Sequence, residues 1–170
     1  THRPRRPRPA PPRSAPPLVS TTPAPRPSSY HTFNGTQWAI SPEAAKQQLA
    51  DAKSAKLVNA ARAAQTFIAR AAGLDTVPDF ELATWAQQAA EAEAWAADNT
   101  AATPMLAQIA AARGADINDL RQKSLKKARA YSALVAHVAG QRQAYVDALN
   151  AATDLAAVDA IAINYTAPGA

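Results

Sequence analysis

The chain has 170 residues, 18 of them basic and 13 acidic, for a formal charge of +5, with 14 prolines, five glycines and no cysteine. The missing cysteine excludes a disulfide framework, a thiolate metal site and a cysteine nucleophile. No apolar run approaches the roughly twenty residues of a membrane-spanning helix, and the scattered glycines build no phosphate-cradling loop or dinucleotide fingerprint.

Residues 1–29 stand apart in composition. They hold ten of the prolines, six arginines and no acidic residue, which leaves twelve basic and thirteen acidic residues in the rest of the chain. The positive charge therefore belongs to this segment. "THRPRRPRPAPPRSAPPLVSTTPAPRPSS" reads as a disordered, polyproline-type arm with too little apolar surface to offset its chain entropy. PxxP spacings such as Pro4 to Pro7 arise by chance at this proline density. The arm lacks the apolar core of a secretory signal, and its prolines break the amphipathic helix that a transit peptide needs. The chain opens on Thr1 without a methionine. It is read as a fragment, a processed product or a start set too far upstream, where GC-rich DNA would yield the same Arg/Pro/Ala/Ser text.

Residues 30–40 predict a β-hairpin. Asn34-Gly35 between aromatic residues fits a type I′ turn, which requires positive φ at both central positions. A two-residue loop at Asn34 and Gly35 sets Phe33 opposite Thr36 and His31 opposite Trp38. Alternation then puts His31, Phe33, Trp38 and Ile40 on one face. A lone two-stranded hairpin is marginal in water, so this face must cover either the chain's own helices or another protein. These four residues are the candidate partner-binding set.

The remainder predicts alanine-rich helices in a bundle or hairpin arrangement, so the fold class is mainly α. A long helix occupies 41–73, with Ser41 as cap, Pro42 at the first position and Gly73 as the stop. Leu57, Ala60, Ala61, Ala64, Phe67, Ile68 and Ala71 form its apolar stripe, whereas its first half is polar and either bridges solvent or awaits a partner. A helical C-terminal domain follows over 74–163. Thr84 and Gln87 have capping-box spacing, and Trp85, Gln88, Ala89, Ala92 and Trp95 share a face. Thr103 caps the next helix, and Gly114 ends it. Asp116 caps the longest helix, which runs to about Asn150 with Tyr131, Leu134, Val135, Val138, Tyr145 and Leu149 as its main stripe. A short helix capped by Thr153 ends near Ile161, and 164–170 form a frayed tail. Alanine faces bury little area per residue, so modest monomer stability is expected, with a homo-oligomer or a partner as the complement.

Catalysis needs converging groups, and few are present. There is no HxxxH, HExxH, GxSxG or acidic calcium loop. Glu91 and Glu93 lie two apart and do not share a helix face, and His137 reads as a half-buried structural histidine. "RQKSLKKAR" (Arg121 to Arg129) is the one basic cluster of the body, and its cations spread around the helix as a solvated face would. No catalytic, cofactor-binding or metal-ligating residue is assigned, no cofactor is expected, and the chain is read as a non-enzyme. Neither a nucleic acid nor a membrane is an expected partner.

The stretch "YHTFNGTQWAISPEAAKQQLADAKSAK" resembles tail fibre assembly proteins of tailed bacteriophages. The likeness rests on Tyr30, Phe33, Asn34, Gly35, Trp38, Ser41 and Pro42, leading into the polar helix Glu43–Lys56. A looser similarity, to helical C-terminal regions of phage tail proteins, covers Leu82–Ile161. Members of the family usually carry a folded segment ahead of the hairpin, where this chain carries the arm. The resemblance implies a chaperone that helps trimeric tail fibres fold, acting in the bacterial host cytoplasm during virion assembly and sometimes staying in the virion tail. Its implied partner is the phage tail fibre protein, and no catalytic residue comes with it. The alternative is a structural component of the tail, baseplate or fibre; a third is nucleic-acid binding through the basic arm.

Overall fold

The computed structural model of the protein describes residues 24–169. The arm reading of residues 1–23 falls outside them. The chain is mainly α and divides into two units, residues 1–44 and 45–170.

The described part of the first unit is the hairpin β1 (Thr32–Phe33) and β2 (Trp38–Ala39), followed by the first residues of helix α1 (Pro42–Ala71). The register differs from the expected one: Phe33 pairs with Trp38 and Thr32 with Ala39. The cause is Asn34. Its side-chain oxygen accepts from the N–H groups of Thr36 (3.0 Å) and Gln37 (2.9 Å), an Asx turn that holds Asn34 at the strand end. Its own N–H donates to the Gln37 carbonyl at 3.1 Å, so the two-residue loop is Gly35-Thr36. Gly35 has φ +94°, and no other residue type among the described residues has positive φ. The I′ assignment is thereby corrected. The pairing has slid by two residues, an even number, so His31, Phe33, Trp38 and Ile40 keep a common face; a slip of one would have split them.

Residues 24–29, expected to be disordered with the rest of the arm, are instead tied to the hairpin. The Trp38 indole N–H donates to the Ala24 carbonyl at 2.6 Å, and Arg26 Nε donates to the His31 carbonyl at 2.9 Å.

The second unit contains most of α1, a 3-10 turn (Leu74–Thr76), α2 (Asp79–Leu82), α3 (Trp85–Ala97), α4 (Pro104–Arg113), α5 (Ile117–Ala151) and α6 (Leu155–Ala160). The spine is α5, roughly 50 Å long at about 1.5 Å per residue. Its first half packs with α3 and α4 around buried Ala92, Leu106, Ala110 and Leu120. Its middle packs on α1 through Ala64, Leu134 and Val138, flanked by Phe67 and Ile68. Leu149 and Val158 are fully buried in α5 and α6. Two lysines of the polar half of α1 meet the ends of these helices: Lys53 Nζ donates to the Asn150 carbonyl and Lys56 Nζ to the Asp159 carbonyl. A cation suits a helix C-terminus, where the last carbonyls lack partners.

Three expected caps are replaced. Thr84 does not form a capping box with Gln87; its hydroxyl donates to the Glu81 carbonyl and accepts from Gln88. Thr103 sits at the N-cap of α4, but its hydroxyl accepts from Arg121 Nε at 2.9 Å and makes no cap. The capping oxygens come from Glu91 on α3, which accepts from the N–H groups of Met105 (3.1 Å) and Leu106 (3.0 Å). Asp154, not Thr153, caps α6, accepting from Ala157 N–H at 2.8 Å. Ser41 and Asp116 cap as their sequence position suggests, at 3.1 and 2.8 Å.

Residues 161–169, read in part as a frayed tail, have no regular secondary structure but lie as a strap against α1 and α5. The Tyr165 hydroxyl donates to the Ala60 carbonyl at 2.9 Å, and its ring meets those of Phe67 and Tyr145. Gln141 brackets Thr166, donating to its hydroxyl at 2.8 Å and accepting from its N–H at 3.2 Å.

Candidate functional site

The pairing of β1 with β2 puts Phe33 directly across from Trp38, with ring centroids 5.4 Å apart and planes tilted by 57°. Phe33 is 38% exposed. Trp38 is half-buried, its indole N–H satisfied by Ala24. Extending the pairing by one residue sets half-buried His31 across from half-buried Ile40. His31 Nδ1 lies 2.8 Å from the Ser28 hydroxyl, in a turn closed by His31 N–H donating to the Ser28 carbonyl at 3.2 Å. The register therefore unites the aromatic pair, and His31 and Ile40 flank it. Sequence reasoning missed the support from Ala24, Arg26 and Ser28. Ser28 three residues before His31 was its one legible sign, a spacing at which a serine side chain closes a turn.

An apolar pair backed by hydrogen-bonded backbone, on a sheet of only two strands, can dock against another surface. Among the described residues no group of three His, Asp or Glu side chains could hold a metal ion, and no helix is long and apolar enough to cross a membrane.

The basic cluster of α5 is engaged within the helical unit. Lys127 Nζ stands 3.6 Å from the centroid of the Trp85 ring, and the Arg121 guanidinium 5.6 Å from that of Trp95, both cation–π contacts. Arg129 grips Glu93 through two bonds of 2.9 Å, and this bond holds the Glu93 carboxyl below its ordinary range. Lys123 pairs with Asp119 at 2.7 Å. Three of these four contacts fasten α5 to α3, so the cluster staples helices together and leaves Lys126 outside these pairings.

Glu91, 9% exposed, is the most demanding ionisable group of the unit. Burial pushes its carboxyl up, but donation by Leu106, Met105 and Gln87 outweighs that and holds it below the ordinary value. A buried carboxylate with three N–H donors is an architectural group. His137 is half-buried, with Nε2 at 3.5 Å from the Thr166 hydroxyl.

The profile of the HI1402 helical domain family matches residues 126–163. That segment runs from the first third of α5 through α6 to the start of the strap and is less than a quarter of the chain. It contains buried Leu134, Val138, Leu149 and Val158, so the likeness is to a packed helical element. No curated protein and no solved structure matches the chain.

Proposed function

We propose that the chain is a non-enzymatic assembly chaperone for a phage or prophage tail fibre, with the face of His31, Phe33, Trp38 and Ile40 as its docking surface. The observation that carries this reading is the cross-strand Phe33–Trp38 pair on a two-stranded sheet, which is too small to be stable without something to cover. An aromatic pair of this kind is the usual anchor of a protein interface. The resemblance of residues 30–56 to tail fibre assembly proteins supplies the partner, and the host cytoplasm during assembly supplies the place. The staples at Arg121, Lys127 and Arg129 support a protein partner over a nucleic acid, because they spend the body's cationic cluster internally.

Co-expression of the full chain with the fibre encoded beside it tests the reading. The fibre is expected to become a soluble trimer only when the chain is present. A fibre that matures equally well alone would refute the chaperone role, and recovery of the chain in fixed stoichiometry from purified particles would then assign it to the tail structure.

A further inference from the structure

The helical unit carries a cleft that the hairpin reading leaves unused. Its volume is about 510 Å³, and it lies between α3 and the first half of α5. Leu82 and Tyr131 give it an apolar floor, beside Trp85, whose ring carries the Lys127 ammonium. Along α5 its lining recurs at Leu120, Ser124, Lys127 and Tyr131, one stripe spanning roughly 16 Å at about 1.5 Å per residue. This is the length of a short peptide segment. Arg113, Lys123 and Lys127 stand in the lining against a single acid, Glu81. Lys123 is paired with Asp119 and Lys127 lies over the Trp85 ring, whereas Arg113 has no ion-pair partner among the described residues. An apolar floor under positive charge selects an acidic segment with an apolar anchor. The arm, with six arginines and no acid, has the wrong sign.

The chain itself presents such a segment. "DTVPDFEL" (Asp75 to Leu82) carries three carboxylates within eight residues. Phe80, between Asp79 and Glu81, is 77% exposed, the most exposed of the large apolar side chains among the described residues. Asp75 and Asp79 have no ion-pair partner among the described residues. Glu81 and Leu82 of this segment also line the cleft of their own chain, so the anchor and its receptor border each other. Two complementary patches side by side on one surface meet their counterparts through a two-fold axis, each satisfied by the other copy.

We propose that the cleft docks a second copy of this chain, Phe80 of each protomer entering beside Leu82 and Tyr131 of its partner, with Asp79 paired to Arg113. The contact is isologous and rests on the helical unit alone, independently of the tail-fibre reading. It also covers Phe80, the most exposed of the unit's large apolar side chains among the described residues.

Sedimentation of the full chain between about 1 and 500 µM is the test. A monomer–dimer equilibrium in the micromolar range is expected. Phe80→Ser, at an exposed position that leaves the fold intact, should weaken it at least tenfold. Arg113→Glu and Asp79→Lys should each yield monomers, and an equimolar mixture of these two should dimerise again, because each swapped charge meets its complement. A chain that stays monomeric throughout the range would overturn the proposal. So would a dimer indifferent to Phe80→Ser, or charge-reversed variants that fail to associate when mixed.

Discussion

Glu91 caps α4 from α3, fourteen residues upstream of the first N–H it satisfies. Its replacement by Gln keeps the shape and removes the charge, and should cost about 1–2 kcal/mol at neutral pH, measured by urea unfolding. The pH dependence follows from the sign of the shift. The folded carboxyl lies below its ordinary value of 4.5, so its stabilisation is complete above the unfolded carboxylate range. It disappears as pH falls through the lower, folded value. Unfolding free energy should thus drop more steeply below about pH 4 in the native chain than in Glu91→Gln; parallel curves would show that the carboxylate is not the cap. This residue also marks where the sequence stops being legible. Ser41 and Asp116 were readable as caps because each meets an N–H three residues on. Thr103 offered the same local pattern, but Arg121 takes its hydroxyl, and no spacing rule announces a carboxylate on another helix.

At the scale of elements, helix existence was plain in the sequence and helix environment was not. Leu134, Val138 and Leu149 of the expected α5 stripe are buried, yet Tyr131 is 38% exposed and Leu120, outside that stripe, is buried. The reason is that α5 changes neighbours along its length, from α3 and α4 to α1, so no single stripe describes it. Leu106, fully buried where α3, α4 and α5 meet, should lose about 3 kcal/mol of stability on replacement by Ala. The strap was illegible for a different reason: "NYTAPGA" has no period, and Gln141, Tyr145 and the Ala60 carbonyl hold it from far away in sequence. Tyr165→Ala removes the ring and its hydrogen bond together and should cost about 2 kcal/mol in chemical denaturation. A variant as stable as the native chain would mean that the strap rests on the helices without bracing them.

For the molecule as a whole, the division at residues 44 and 45 sets the hairpin and its aromatic face in one unit and the helical body in the other. The hairpin was recognisable from Asn34-Gly35, and its register was not, because the side chain of Asn34 closes the turn in a way that the residue pair does not reveal. The two-residue slip still leaves the aromatic face intact. Trp38 contacts Phe33 and Ala24, both in the first unit, so its loss should leave the helices folded. The decisive measurement is therefore Trp38→Ala in the fibre co-expression, read as the yield of soluble trimer beside the helical circular dichroism of the purified variant. A trimer yield at least tenfold lower with unchanged helical signal is the expected result. Full trimer yield, or a helical signal that collapses with the yield, would contradict it and make Trp38 a core residue instead of a docking one.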